Sequence, residues 1–128
     1  MTIEPEILAA GAALVEDFGA GRVDAYFARL APDATFIFHT TEQRLESREA
    51  YRRLWEQWVA EDGFRVLRCA CANRCVQSLG PDAAVLSHVV TTRVATSAGE
   101  KDLRECETIV FVRRDGAWLV LHEHLSAA

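Results

Sequence analysis

Residues 113–126, RRDGAWLVLHEHLS, turn at Asp115-Gly116 between two runs rich in β-branched, aromatic and aliphatic side chains. An Asp-Gly step between such runs is a hairpin signal, so this segment reads as the last turn of an antiparallel sheet. Working backwards, residues 64–79, 82–96 and 103–113 have the same character, separated by Gly80-Pro81 and Ser97-Ala98-Gly99. Four long strands in succession make a meander. Strands of this length twist and curl, and a curled sheet needs a second layer over its concave side.

The first half of the chain supplies that layer. Ile7, Leu8, Gly11, Leu14, Val15 and Phe18 recur at helical spacing, with Pro5 in the first turn and Gly19 and Gly21 as stops. Val23, Tyr26, Phe27 and Leu30 predict a short second helix ended by Pro32-Asp33. Residues 34–39 read as a strand, with a turn over 40–44 and a brief return strand. Ser47 is placed to cap a third helix whose stripe is Tyr51, Leu54, Trp55 and Trp58, and Gly63 ends it. The expectation is an α+β fold in a single domain over residues 1–128. Three N-terminal helices pack on a curved, mainly antiparallel sheet in the order helix-helix-hairpin-helix, then a four-strand meander. Together they close a cone with a pocket inside.

Composition narrows the function. Of 128 residues half are hydrophobic, enough for one core, and the formal net charge is −5. Nucleic acid and anionic membrane surfaces are disfavoured, because neither attracts an acidic chain without a basic face. No apolar run approaches the ~20 residues that span a bilayer. The first residues lack the basic region of a signal peptide, so a cytoplasmic protein with reduced thiols is expected. Cys69, Cys71 and Cys75 would share one face of a regular strand as small buried residues, and Cys106 lies on another strand. No Gly-rich phosphate loop and no Gly-x-Ser-x-Gly elbow is present.

Three segments resemble the nuclear transport factor two-like superfamily: residues 18–27 (FGAGRVDAYF), 32–39 (PDATFIFH) and 113–126. The last is similar to the SnoaL-like branch and to the association domain of calcium/calmodulin-dependent kinase II. The resemblance implies a cone fold, a small-molecule pocket and self-association. Its members include ketosteroid isomerases, polyketide cyclases and dehydratases, as well as domains with no chemistry. The isomerase pattern itself is absent: Leu14, Phe38 and Thr108 stand where the resemblance would place its tyrosine, its base and its protonated acid.

The remaining titratable residues nominate the site. Histidine exchanges protons near neutral pH, and His39, His88, His122 and His124 all fall on strands or strand ends. His122 and His124, two apart, share a face with Trp118 and Val120 if no bulge intervenes. Glu105 and Glu107 share a face of the preceding strand. A two-residue turn at Asp115-Gly116 would pair Val112 with Leu119 and Glu107 with His124. A three-residue loop over 114–116 would pair Val112 with Trp118 and Thr108 with His122. The second is favoured, since Arg114 suits the start of a type I turn and Gly116 a left-handed position. It makes His122, His124 and His39 the catalytic candidates, with Trp118, Val120, Thr108, His88, Trp55 and Tyr51 around a small apolar or partly polar ligand. No cofactor or metal is expected, although His122 and His124 with His39, His88 or a glutamate have ligating chemistry. The function expected is cofactor-independent acid–base catalysis by an isomerase, cyclase or dehydratase; the alternative is a non-catalytic ligand-binding or subunit-association domain. Large apolar residues on both faces of the long strands predict a homodimer.

Overall fold

The computed structural model describes residues 2–128. Its order is α1 (Glu4–Gly19), α2 (Val23–Ala28), β1 (Leu30–Phe38), α3 (Arg48–Asp62), β2 (Arg65–Ser78), β3 (Ala83–Thr96), β4 (Gly99–Arg114) and β5 (Ala117–Ala127). The five strands form one sheet in the order β1-β5-β4-β3-β2. The meander is antiparallel, and β1 joins its β5 edge in parallel. This is the α+β cone that the sequence predicts. Among the described residues no helix is long and apolar enough to cross a membrane.

Helix α1 lies against the sheet because two of its glycines remove the side chains that would hold it off. A Cβ on Gly11 would stand 2.5 Å from Leu86 Cδ2, and one on Gly19 would stand 2.7 Å from the Cys69 backbone nitrogen. Helix α3 is fixed at both ends. Ser47 Oγ accepts from the Ala50 N–H at 3.0 Å, and Gly63 takes the left-handed conformation that a β-carbon disfavours. Its buried face presents Tyr51 and Trp55 to a core built around Ile7, Phe27, Leu30, Phe36, Leu86 and Phe111.

Three local expectations need correction. Leu30 begins β1 instead of closing α2, and Pro32-Asp33 lies inside the strand, where the pairing with β5 shifts between Leu30 and Thr35. Proline is tolerated there because β1 is an edge strand. The return strand after residue 44 shrinks to a single bridge between Phe36 and Leu45. In β2 the pairing shifts between Ala72 and Cys75, where Asn73 has a φ of 56°. Cys69 and Cys71 thus stay opposite the inward-facing Thr92 and Val90, while Cys75 faces Ser87 on the outer side and is exposed.

The last hairpin decides the chemistry. Asp115 and Gly116 both have positive φ, 52° and 79°, which is the two-residue turn of type I′. Val112 therefore pairs with Leu119, not with Trp118. The register then shifts between Val110 and Phe111, whose partners are His122 and Val120, so Leu121 is an extra residue in β5. Beyond this bulge Ile109 faces Glu123, Thr108 faces His124 and Glu107 faces Leu125. Neither register expected from the sequence survives the whole hairpin, because one inserted residue reverses the side to which every later side chain points.

Candidate functional site

The concave side of the sheet and the three helices enclose a cavity of about 270 Å³. Its walls are aromatic: Phe18, Tyr26, Phe38, Tyr51, Trp55 and Trp58 all line it. They pack as a continuous set, for instance Tyr26 on Phe18 at 5.1 Å and Phe38 on Tyr51 at 5.2 Å between ring centroids. Into this apolar space β4 and β5 project three carboxylates, Glu105, Glu107 and Glu123, all buried.

Each carboxylate has its own arrangement. His88, on the neighbouring position of β3, places Nε2 2.5 Å from Glu107 Oε1. The His88 side chain has no solvent exposure, and its Nδ1 has no hydrogen-bond partner among the described residues. Glu123 lies fully inside, and its pKa is pushed well above the usual carboxylate range. Burial is the main cause, followed by repulsion from Glu107 and a hydrogen bond shared with it, and then by repulsion from Glu105. Burial therefore favours the protonated form of Glu123, with its hydrogen bond running to Glu107. Glu105 meets His39, with Nε2 to Oε2 at 2.6 Å, but this imidazole is about one-third exposed, at 34%. One His–Glu pair is sealed and the other opens to water.

Two phenols complete the polar set. The Tyr26 and Tyr51 hydroxyls lie 3.0 Å apart in the cavity wall. Burial, and after it the nearby Glu123, pushes both far above the ordinary phenol value, so both stay protonated. Two hydroxyl protons serve one bond between them. The second proton is available to a ligand acceptor. Cys69 also lines the cavity, but burial pushes its thiol up to about 11, against a weaker opposing hydrogen bond with Thr92, so it is a poor nucleophile.

Of the residues nominated from the sequence, Tyr51 and Trp55 line this cavity. His39 and His88 reach it through the glutamates they hold. The others lie elsewhere. The bulge at Leu121 turns His122 and His124 to the outer face beside Val110 and Thr108. There the His122 Nδ1 pairs with Thr35 Oγ1 at 2.8 Å, and burial, with His124 close by, lowers its pKa. Val120 is buried in the core, and Trp118 is covered by Arg113, whose Cζ lies 4.8 Å from the ring centroid. The residue that sequence reasoning missed is Glu123. Its signal was a single carboxylate set among Leu119, Leu121 and Leu125, where a solvated strand face would carry several polar residues.

A family model described as a SnoaL-like domain matches residues 7–128. The chain belongs to the SnoaL-like family. Solved structures share this fold over nearly the full length. An NTF2-like protein of unknown function in nutrient uptake from Rhodospirillum rubrum aligns with a TM-score of 0.81 at 17% identity, covering 95% of this chain and 98% of that one. A Catenulispora acidiphila protein in complex with S-DNPA gives 0.79 at 16% identity, covering 98% and 92%. The kinase II hub homology domain of Chlamydomonas reinhardtii gives 0.76 at 20% identity, covering 100% and 99%. At these identities the likeness concerns the fold, and the chemistry of this SnoaL-like domain rests on its own side chains.

Proposed function

We propose that this SnoaL-like domain binds a small, largely apolar carbonyl compound and moves a proton on it by general acid–base catalysis, the chemistry of an isomerase, cyclase or dehydratase. The observation that carries this reading is the linked set Glu123, Glu107 and His88 at the floor of an aromatic cavity. The spare phenol proton of the Tyr26–Tyr51 pair is one hydrogen-bond donor, and a Glu123 kept neutral by burial becomes a second when its proton turns from Glu107 to the ligand. Both would hold the oxygen of a carbonyl and strengthen their bonds as charge develops on it. Glu105 then takes the proton from the neighbouring carbon, the C–H electrons form the enolate, and the oxyanion stays on the two donors. Returning the proton to a different carbon completes an isomerisation. His39, which reaches water, gives Glu105 a route for proton exchange.

The test is hydrogen–deuterium exchange at the α-carbon of a simple aromatic ketone, α-tetralone, followed by NMR in heavy water. Wild type is expected to accelerate exchange about 100-fold over buffer. Glu105→Gln should abolish the gain, Glu123→Gln should reduce it, and His122→Ala should leave it. No acceleration, or a loss with His122→Ala that exceeds the loss with Glu105→Gln, would overturn the reading.

A second reading is supported by the outer face of the sheet. Val85, Val89, Val110 and Val112 stand half-buried there in the single chain, and several similar structures are hub or association domains. We propose that this face joins two copies in a homodimer. Sedimentation at micromolar concentration is expected to give twice the chain mass, and a monomer would defeat the proposal.

A further inference from the structure

The inner face of β4 runs from the cavity mouth to its floor as Lys101, Leu103, Glu105 and Glu107, every second residue of the strand. Lys101 is the only lysine in a chain whose other basic residues are arginines. Its sequence neighbours are both acidic, yet neither is free to neutralise it. Glu100 and Asp102 point to the other face, where Arg93 takes both, at 3.0 and 3.1 Å. Among the described residues no carboxylate forms an ion pair with Lys101. Two hydroxyls stand with it at the mouth. Thr96 Oγ1 accepts from the Ala98 N–H and so keeps its own proton to donate, and Thr40, an exposed residue, also lines the cavity. One acid, Asp62, also borders the opening.

We infer that the ligand is an amphipathic anion. Its apolar body fills the aromatic cavity, and a carboxylate or sulfonate at its far end stays in the mouth against Lys101, Thr96 and Thr40. An anionic group cannot descend further, because the carboxylates of Glu105 and Glu107 stand below the mouth on the same strand, so the charge order along β4 fixes the direction of entry. The end that reaches the floor must then be neutral, and on the acid–base reading above it carries the carbonyl. The mouth contact itself does not depend on that reading.

Binding of matched molecules tests this, read by the fluorescence of Trp55 and Trp58. Phenylalkanoates of graded chain length are titrated beside the alcohols and the amines of the same length. The carboxylates are expected to bind about fivefold tighter than the alcohols at low salt, as befits one partly exposed ion contact. Lys101→Met should remove that preference and leave the alcohols unchanged, and Lys101→Arg should keep it. Carboxylates no tighter than alcohols, a preference that survives Lys101→Met, or amines tightest of the three would each overturn the inference. Ketone exchange is measured separately, so loss of the carboxylate preference with exchange intact condemns only the anion site. The opposite result condemns only the acid–base mechanism.

Discussion

The two histidine–glutamate pairs of β4 have the same chemistry and nearly the same length, 2.5 Å for His88–Glu107 and 2.6 Å for His39–Glu105. They differ in what surrounds them. The first is closed off from solvent and linked to Glu123, whose burial favours its protonated form, whereas the second has a buried carboxylate on one side and water on the other. Distance alone therefore says little about what such a pair does. A sealed pair has no water to fall back on if one partner leaves, so it behaves as a rigid unit. A vented pair can lose its partner and rehydrate, which suits a group that must take up and give back a proton.

Removing His88 should make the difference largest. His88→Ala leaves Glu107 buried beside Glu123 without its partner, and a loss of about 3–5 kcal/mol is expected in chemical denaturation. If the loss is no greater than that of His39→Ala, the sealed pair is not a rigid structural unit. Glu123 gives the next test, through pH. Its folded-state pKa is raised, so between the ordinary carboxylate value of 4.5 and the raised one the folded state binds more protons than the unfolded state. Stability then falls as pH rises across that window. Glu123→Gln should flatten this slope and raise the melting temperature at neutral pH. A slope unchanged by the substitution would locate the titration elsewhere. The smallest effect belongs to His39→Ala, expected to cost less than about 1 kcal/mol because its partner contact is part-solvated. A larger loss would show that the vented pair also holds the fold.

The contrast also marks how far the sequence can be read. Helix α1, the cap at Ser47, the stop at Gly63 and the four-strand meander follow from periodicity and turn chemistry, which are local properties. So does the placing of Tyr51 and Trp55 on an inward stripe. The end of α2 does not, because Leu30 fits a helical stripe as well as a strand and only pairing with Val120 settles it. The site was legible in its residue types and hidden in its direction. Histidines and glutamates on the last strands were visible, but whether β5 turns one set or the other inward depends on Leu121. Nothing in L-V-L-H marks which residue will be skipped by the ladder. The choice of turn at Asp115-Gly116 was equally open, since Asp-Gly serves both loop lengths.

The bulge at Leu121 has a consequence for how such a cavity changes over generations. Side chains downstream of it alternate in or out by odd and even count, so the bulge sets a parity for the rest of β5. Pairing Leu121 into the ladder instead of skipping it would exchange Glu123 for the adjacent histidines at the cavity floor while every strand kept its neighbour, whereas deleting Leu121 would leave Glu123 opposite Ile109. Substitutions that merely flatten the bulge would thus swap a carboxyl group for an imidazole in the cavity, with no residue gained or lost. On this strand a new chemistry lies closer in sequence than a new fold.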